Sequence, residues 1–476
     1  MAQRDLQIRV VPTQKPSILS FTDTELLIKN IVDLLNTLAQ TRAPVIAARR
    51  DGRTLEVSYI GRKKKTDTMS LMKLTCVVEV QDDVVEAWTE TLLHMAYEGV
   101  GVKRARRLKV IINPHAGTRK GVSIFTKTVE PILRTAQCSL DVIHTTRSGH
   151  AHEIAKNMIL DFDALVIVSG DGLVHEVLNG FVSHEQPINA FRIPLAPIPT
   201  GTGNGLALNI LGMADGFDVV AAALNVIKGL PMKVDVFSLT QGGKRTISFM
   251  SQALGLIADL DIGTENLRWM GDARFTVGLL RGLIQFKQCP VQLSYRAVET
   301  NKDKMFDTLQ KRRMKDKDGS SQSVSIADED GTSLPPLKHT SNDEEGWTTL
   351  DKPLLYVYAG KGPYVGRDLM AFPVSLPDDG LIDIVTQSVS SRSDVLLSFA
   401  GAPKGELYWN PTLQYVKATA YRVKPLSSKG ALSVDGEIFP FEEFQVEAHQ
   451  GLATLLSPHG YYAADFAPRR NSKTRA

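Results

Sequence analysis

Asp171 lies between two glycines, in Ser169-Gly170-Asp171-Gly172, where the apolar run ALVIV (164–168) gives way to a helical stretch carrying Glu176. A short carboxylate on such a turn can take a proton without its own backbone obstructing a bulky partner. Two further glycine-rich turns share that setting. NPHAGTRKG (113–121) follows the apolar run LKVII, and GTGNG (201–205) follows IPLAPIPT. Backbone N–H groups at such turns, together with a helix N-terminus, form a cradle for an anion. Three turns at the ends of three strands predict a polyphosphate.

The elements that must position these turns alternate. Strands are predicted at 108–112, 139–145, 164–168 and 192–198, and helices near 121–136, 149–160, 173–183 and 204–211. That order predicts an α/β domain over 105–230, a parallel sheet with helices on both faces and its site at the strand C-termini. From 231 to 460 strand-like runs dominate (KVDVFSLT, RTISFMSQALG, VQLSYRAV, LLYVYAG, IDIVTQSV, YRVKPL, FQVEAH), which predicts a second, mostly antiparallel β domain. Residues 302–350, rich in charge and serine, read as a disordered insertion, and 466–476 as a disordered tail. Residues 1–100 carry strands at 54–60 and 70–80 and an amphipathic helix, DDVVEAWTETLLHMAY. Two readings stand side by side for that segment, a pleckstrin-homology-like module and a simple packing extension.

Composition narrows the class. A chain of 476 residues with a net charge of +3 is not a nucleic-acid binder on charge grounds. Cys76, Cys138 and Cys289 lie far apart without metal-ligand spacing and predict reduced thiols in a cytoplasmic protein. The start MAQRDLQIRVV has no apolar signal core, and no run approaches the ~18 apolar residues of a membrane span. The basic run KRARRLK (103–109) is a candidate contact for anionic lipid at an intracellular membrane surface. There is no G-x-x-x-x-G-K-[ST], no V-A-I-K, H-R-D or D-F-G set, and no G-x-S-x-G elbow. GTGNGL mimics a dinucleotide fingerprint but lacks the third glycine.

Five ordered motifs, NPxxG, SGDGxxHEVxNG, PxGTGN, ALGLIADLDIGTENLRWMGDARF and DGE (435–437), together resemble the sphingosine kinases and, more broadly, the diacylglycerol-kinase-type catalytic fold. The resemblance covers roughly 105–460 outside the insertion. It departs at the first motif, where Ala116 stands for a glycine and an extra residue precedes Gly121. It implies ATP as co-substrate, Mg²⁺, and an active site between the two domains. By resemblance Asp171 is the base for a lipid primary hydroxyl. Nucleotide contacts fall to Asn113, Pro114, His115, Thr145, Thr146, Arg147, Ser148, Gly149, Glu176, Gly201, Thr202, Gly203, Arg268, Arg274, Asp435, Gly436 and Glu437, with Glu176 and Asp435 facing the metal. Asp-Gly is also the strongest hairpin signal, so an ordinary turn competes at 435–436. The lipid side falls to Ser169, Gly170, Asp171, Gly172 and Asp261.

A carboxylate at 261 suits the 2-ammonium of an unacylated sphingoid base, which ceramide and diacylglycerol lack. The expected activity is therefore ATP-dependent phosphorylation of sphingosine, sphinganine or phytosphingosine to the 1-phosphate. Ceramide or diacylglycerol kinase, or a catalytically inactive lipid-binding scaffold, are the alternatives. RFTVGLLRGLIQF (274–286), with Phe275, Leu279, Leu283 and Phe286 at helical spacing, reads as a core helix, as a lining for the alkyl chain or as a segment that dips into a membrane leaflet. Peripheral membrane contact and a homodimer are further expectations.

Overall fold

In a computed structural model the described residues run from 5 to 468, apart from 12–14, 22–25, 31–36, 41–44, 64–65, 264–286, 318–332, 340–344, 351 and 400. Arg268, Arg274 and the apolar stripe at 275–286 lie outside them.

Four parallel strands, Arg107–Ile112, Ser139–His144, Ala164–Ser169 and Leu195–Pro199, form the frame of the first domain. The Arg107–Ile112 strand lies between the other two early strands, and Ala164–Ser169 joins it to Leu195–Pro199. Every residue of Ala164–Ser169 is buried, as a strand covered by helices on both faces must be. The helix expected near 121–136 is present but widens into a π-turn at Phe125–Val129, just before Pro131. Pro131 has no N–H to offer the preceding turn, which accounts for the local irregularity. Two helices, Pro187–Arg192 and Val219–Lys228, were not expected. Asp218 starts the latter by accepting the N–H of Val220 at 2.8 Å and of Ala221 at 3.3 Å.

The second domain is antiparallel, and the two domains share one sheet. The long strand Phe444–Ser457 pairs Leu455 in parallel with Leu195, while its earlier half pairs antiparallel with Leu413–Pro425. The end of the chain therefore completes the first domain's sheet, a boundary that a division at 230 misses. A buried ionic cluster fixes the second domain's interior. Lys361 meets Asp235 at 2.7 Å, and Asp379, and Lys417 meets Asp379 and Asp383 at 2.9 Å each. Tyr415 donates to Asp383 at 2.8 Å. Removing one partner from such a cluster leaves a buried charge uncompensated, which is costly.

Residues 302–317 are not disordered. Lys302–Lys317 is a helix that buries Met305 and Leu309, four residues apart, in the second domain's core. Arg312 reaches Asp378 at 3.0 Å, and Lys302 donates to the carbonyls of Asn410 and Leu413. Thr348–Leu350 adds a short strand to Val291–Glu299. The tail is also ordered further than expected, because Phe466 is buried and stacks on Trp409 at 5.8 Å.

The N-terminal segment forms a seven-stranded antiparallel sheet whose own core includes Val85, Trp88 and Leu92 of the helix Asp82–Ala96. Ile46, Ile60 and Tyr97 join the core of the first domain, so the unit is docked as well as independently packed. Four of the five basic side chains of the run 103–109 have partners within the protein, and Arg107 is exposed. Lys103 pairs with Asp163, Arg104 with Glu90 and Glu98, and Lys109 with Asp141. Arg106 is buried and donates to the carbonyls of Val226 and Gly229 at 2.7 Å each. Among the described residues no single helix is long and apolar enough to cross a membrane.

Leu309→Ala is expected to lower the unfolding free energy by about 2–5 kcal/mol in urea denaturation. An unchanged midpoint would contradict the docking of the 302–317 helix.

Candidate active site

All the glycine-rich turns leave the same edge of the parallel sheet, and they interlock backbone to backbone. A Cβ on Gly201 would stand 2.3 Å from Gly170 Cα, and one on Gly170 would stand 2.4 Å from the Gly203 carbonyl. One on Gly117, which has φ +51°, would stand 2.6 Å from the Thr200 carbonyl. The glycine that the first motif needs is therefore Gly117, and Ala116 is tolerated beside it. Asp171 N donates to Gly203 O at 3.1 Å and Thr200 N to Ser169 O at 3.2 Å, so the turns are also hydrogen-bonded together. Asn204 ties the third turn through Gly201, donating to its carbonyl at 2.9 Å and accepting its N–H at 3.2 Å. The Thr200 hydroxyl is buried there with no hydrogen-bond partner among the described residues. A buried polar atom without a protein partner calls for a ligand or an ordered water. Thr202 is half-buried on the same turn.

Asn113 closes its own turn by accepting the His115 N–H at 2.9 Å, with Pro114 half-buried and His115 exposed. In the next loop Thr145 is buried and its N–H bonds Ile112 O at 2.9 Å. Thr146 N donates to His150 Nδ1 at 3.1 Å. Arg147 is committed to both oxygens of Glu153 at 2.7 Å each. Ser148 is exposed, and Gly149, at φ 77°, caps the helix His150–Asn157. Glu176 joins this loop to the Asp171 helix by accepting the Ala151 N–H at 3.2 Å.

Asp171 is the first residue of the helix Asp171–Val182, and its carboxylate turns to the start of the helix Gly205–Asp215. Oδ2 accepts from Gly205 N at 2.7 Å and Oδ1 from Leu206 N at 3.1 Å. Burial pushes its pKa up to about 6, because those two N–H donors offset the loss of water only in part. Each oxygen keeps a second lone pair for a further donor.

One turn along the same helix, His175 reaches across to the second domain, its Nδ1 2.8 Å from Asp435 Oδ2. One turn further, Asn179 accepts the Ile247 N–H at 2.8 Å and donates to the Ile247 carbonyl at 2.9 Å. Asp171, His175 and Asn179 thus form a polar stripe at i, i+4, i+8 along the domain seam. His175 and Asn179 lie inside the HEVxNG motif, and that spacing was the available signal for them.

Asp435 and Gly436, at φ 50° and 83°, form a two-residue hairpin turn between Leu432–Val434 and Glu437–Phe439. The hairpin reading and the functional one meet in the same residue. Asp435 Oδ1 accepts from Ser248 Oγ at 2.8 Å, Met250 N at 3.0 Å and Ser251 N at 2.9 Å, and Oδ2 from Phe249 N at 3.1 Å as well as His175. The break between the strands Lys244–Ser248 and Ser251–Gly255 exists to wrap this carboxylate. Five protein partners exceed the roughly four lone-pair sites of a carboxylate. Asp435 therefore does not fit the expected metal-facing role in this arrangement; it anchors the hairpin. Burial would depress the His175 imidazolium, but the bond to Asp435 outweighs it and the net shift is upward. Glu437 extends from the anchored turn over the helix Asp171–Val182, its Oε1 3.5 Å from where a Cβ on Gly172 would stand. Among the described residues no group of three or more metal-ligating side chains occurs. Mg²⁺ in such sites takes one or two carboxylates plus substrate phosphates, which Glu176 beside the 145–149 loop can serve.

Asp261 sits on the helix Leu256–Gly263, and its Oδ2 accepts the Ser433 hydroxyl at 2.5 Å. One turn earlier Ile257 lines a small apolar cavity of about 20 Å³ with Tyr356, Tyr358, Val385, Leu407 and Leu413.

A parallel α/β frame with interlocked glycine turns, closed by a β domain that brings a hairpin to the helix Asp171–Val182, is the architecture of a diacylglycerol-kinase-type lipid kinase. The family Diacylglycerol kinase catalytic domain matches residues 107–239. The fold resembles a putative diacylglycerol kinase from Bacillus anthracis str. Sterne, with TM-score 0.51 and 21% identity over 75% of this chain and 98% of that one. Sphingoid long chain base kinase 4 of Schizosaccharomyces pombe is 32% identical over 85% of this chain and 84% of its own length. Sphingosine kinase 1 of Homo sapiens is 30% identical over 74% and 91% respectively. The chain belongs to the sphingosine kinase family. It is a lipid kinase with ATP as co-substrate.

Gly201→Ala must displace the Gly170 backbone, and about 1–3 kcal/mol of strain is expected. Calorimetry should give a lower Tm with weakened ATP binding, whereas Gly366→Ala, which meets nothing within 4 Å, should change neither.

Proposed function

We propose that this enzyme phosphorylates the primary hydroxyl of sphingoid long-chain bases to the 1-phosphate, with Asp171 as general base. The observation that carries the reading is the placement of Asp261 one helical turn from the apolar cavity and one hydrogen bond from the hairpin that ends in Asp435. A polar head at Asp261 with its tail toward the cavity sets an amphiphile against the nucleotide side of the cleft. The cavity is narrow, so an alkyl chain must part its walls on entry. An ammonium beside the hydroxyl satisfies the half-buried Asp261 carboxylate. Ceramide and diacylglycerol offer the carboxylate no cation and forgo that ion pair.

In the reaction the substrate hydroxyl adds a third donor to the Asp171 carboxylate and passes its proton there as the oxygen attacks the γ-phosphorus. The bond from that phosphorus to ADP breaks in line. Gly205 and Leu206 N–H hold the carboxylate in place throughout. The glycine turns and the Thr200 hydroxyl receive the phosphates. Mg²⁺, held by Glu176 and the phosphates themselves, supplies charge neutralisation when bound.

A lipid substrate argues for a cytoplasmic enzyme that visits intracellular membranes peripherally. Arg104, Arg106 and Lys109 are engaged inside the protein, which leaves Lys103 and Arg107 as the exposed basic side chains that the 103–109 run offers to that contact. Seven antiparallel strands closed by one C-terminal helix support a pleckstrin-homology-like reading of the N-terminal unit.

With labelled ATP and Mg²⁺, sphinganine and phytosphingosine are expected to accept label far better than ceramide or diacylglycerol; label on the latter pair alone contradicts the Asp261 reading. Asp171→Asn should lower kcat by about 10²–10⁴-fold. A base works deprotonated, so wild-type kcat/KM should fall as pH drops through about 6 and level off above it. A profile flat to pH 5 would contradict the assignment.

A further inference from the structure

Ser433 is almost fully buried, on the three-residue strand Leu432–Val434 that leads directly into the Asp435–Gly436 turn. Its hydroxyl donates to Asp261 Oδ2 at 2.5 Å, in the range of a charge-assisted O–H···O⁻ bond. Among the described residues Asp261 accepts no other hydrogen bond. The strand itself is pinned from both sides. Leu432, Ser433 and Val434 pair with Leu254, Ala253 and Gln252, and again with Phe439, Ile438 and Glu437. Two residues on from Ser433, at the first position of the turn, Asp435 is fixed by its five partners. Ser433 is thus a rigid donor attached to the nucleotide side of the cleft and aimed at the lipid side.

We infer that Ser433 is a positioning residue for lipid selection: its hydroxyl holds one oxygen of Asp261, so that the other is presented to a cationic amino-alcohol head group. The inference rests on the reading of Asp261 as the head-group carboxylate. A freely rotating aspartate would turn toward water, and the ammonium would have to order it on binding, which weakens capture. Fixed in place, the carboxylate is pre-organised. Because the donor sits on the strand that carries Asp435, the head group is also registered against the hairpin whose Glu437 overlies Gly172. The bond does not touch the phosphate turns, so its loss should be felt by the lipid and not by ATP.

The test is steady-state kinetics on the full chain with sphinganine and ATP varied separately, for wild type, Ser433→Ala, Ser433→Thr, Asp261→Ala and the Ser433→Ala/Asp261→Ala double variant. Ser433→Ala is expected to raise KM for sphinganine about tenfold or more, by loss of a hydrogen bond to a charged group. KM for ATP should stay at its wild-type value. Ser433→Thr, which keeps the hydroxyl, should restore the lipid KM. The double variant should be no worse for sphinganine than Asp261→Ala alone. An unchanged lipid KM in Ser433→Ala, with Asp261→Ala impaired, overturns the role of Ser433 and leaves the head-group reading intact. Equal increases in both KM values, or no rescue by threonine, would reduce Ser433 to a packing residue and also overturn the inference. An unaffected Asp261→Ala overturns the head-group reading and the inference together.

Discussion

One face of one helix holds the active site together. Along Asp171–Val182 the side chains of Asp171, His175 and Asn179 each cross to a different partner: the start of the helix Gly205–Asp215, the hairpin carboxylate Asp435, and the backbone of Ile247. The apolar residues of that helix pack in the core, with Leu173, Val174, Val177, Leu178 and Phe181 all buried, while Glu176 faces the helix His150–Asn157. A buried polar stripe is stable only when every member is satisfied. Here the satisfaction of each member fixes a separate element of the site, so the helix Asp171–Val182, the glycine turns and the second domain are set by the same interactions.

Rigidity follows from how those partners are supported. Asp435 is held by three consecutive backbone N–H groups and the Ser248 hydroxyl, and Ser248 is backed by Gln252 at 2.6 Å and Gln252 by Tyr421 at 2.9 Å. This chain runs through the second domain's sheet, so the hairpin that presents Glu437 is not a loose loop. On the other side of the cleft, glycines let three turns touch without side chains between them. That close approach leaves the Asp171 carboxylate buried and its protonated form favoured relative to an exposed aspartate. In the proposed role of base, a carboxylate with a pKa of about 6 is ionised at neutral pH yet close enough to it to accept a proton readily.

The parallel frame and the glycine turns were legible because each strand ends in a signal of its own, apolar run to glycine, within a few residues. The hairpin at 435–436 was legible for the same local reason. What was hidden depends on partners far along the chain. The helix at 302–317 carries so much charge that it reads as solvated; only Met305 and Leu309 are buried, and Arg312 is matched by Asp378. The basic run at 103–109 looks free until Glu90, Glu98, Asp141 and Asp163 fold against it. Asp435 looks like a cation ligand until the break at 249–250 closes around it. Ser433 and Thr200 had no local mark at all, since a serine or threonine in a strand is ordinary until its neighbour across the cleft is known.

The central claim is that Asp171 takes the proton of the lipid hydroxyl while Gly205 and Leu206 hold it. The most direct measurement is a crystal structure of the full chain with a non-hydrolysable ATP analogue and sphinganine. The account predicts the C1 hydroxyl oxygen at about 2.6–3.2 Å from an Asp171 carboxylate oxygen, in line with the terminal phosphorus. A hydroxyl bonded instead to another group, with Asp171 still occupied only by the two backbone N–H donors, would contradict it.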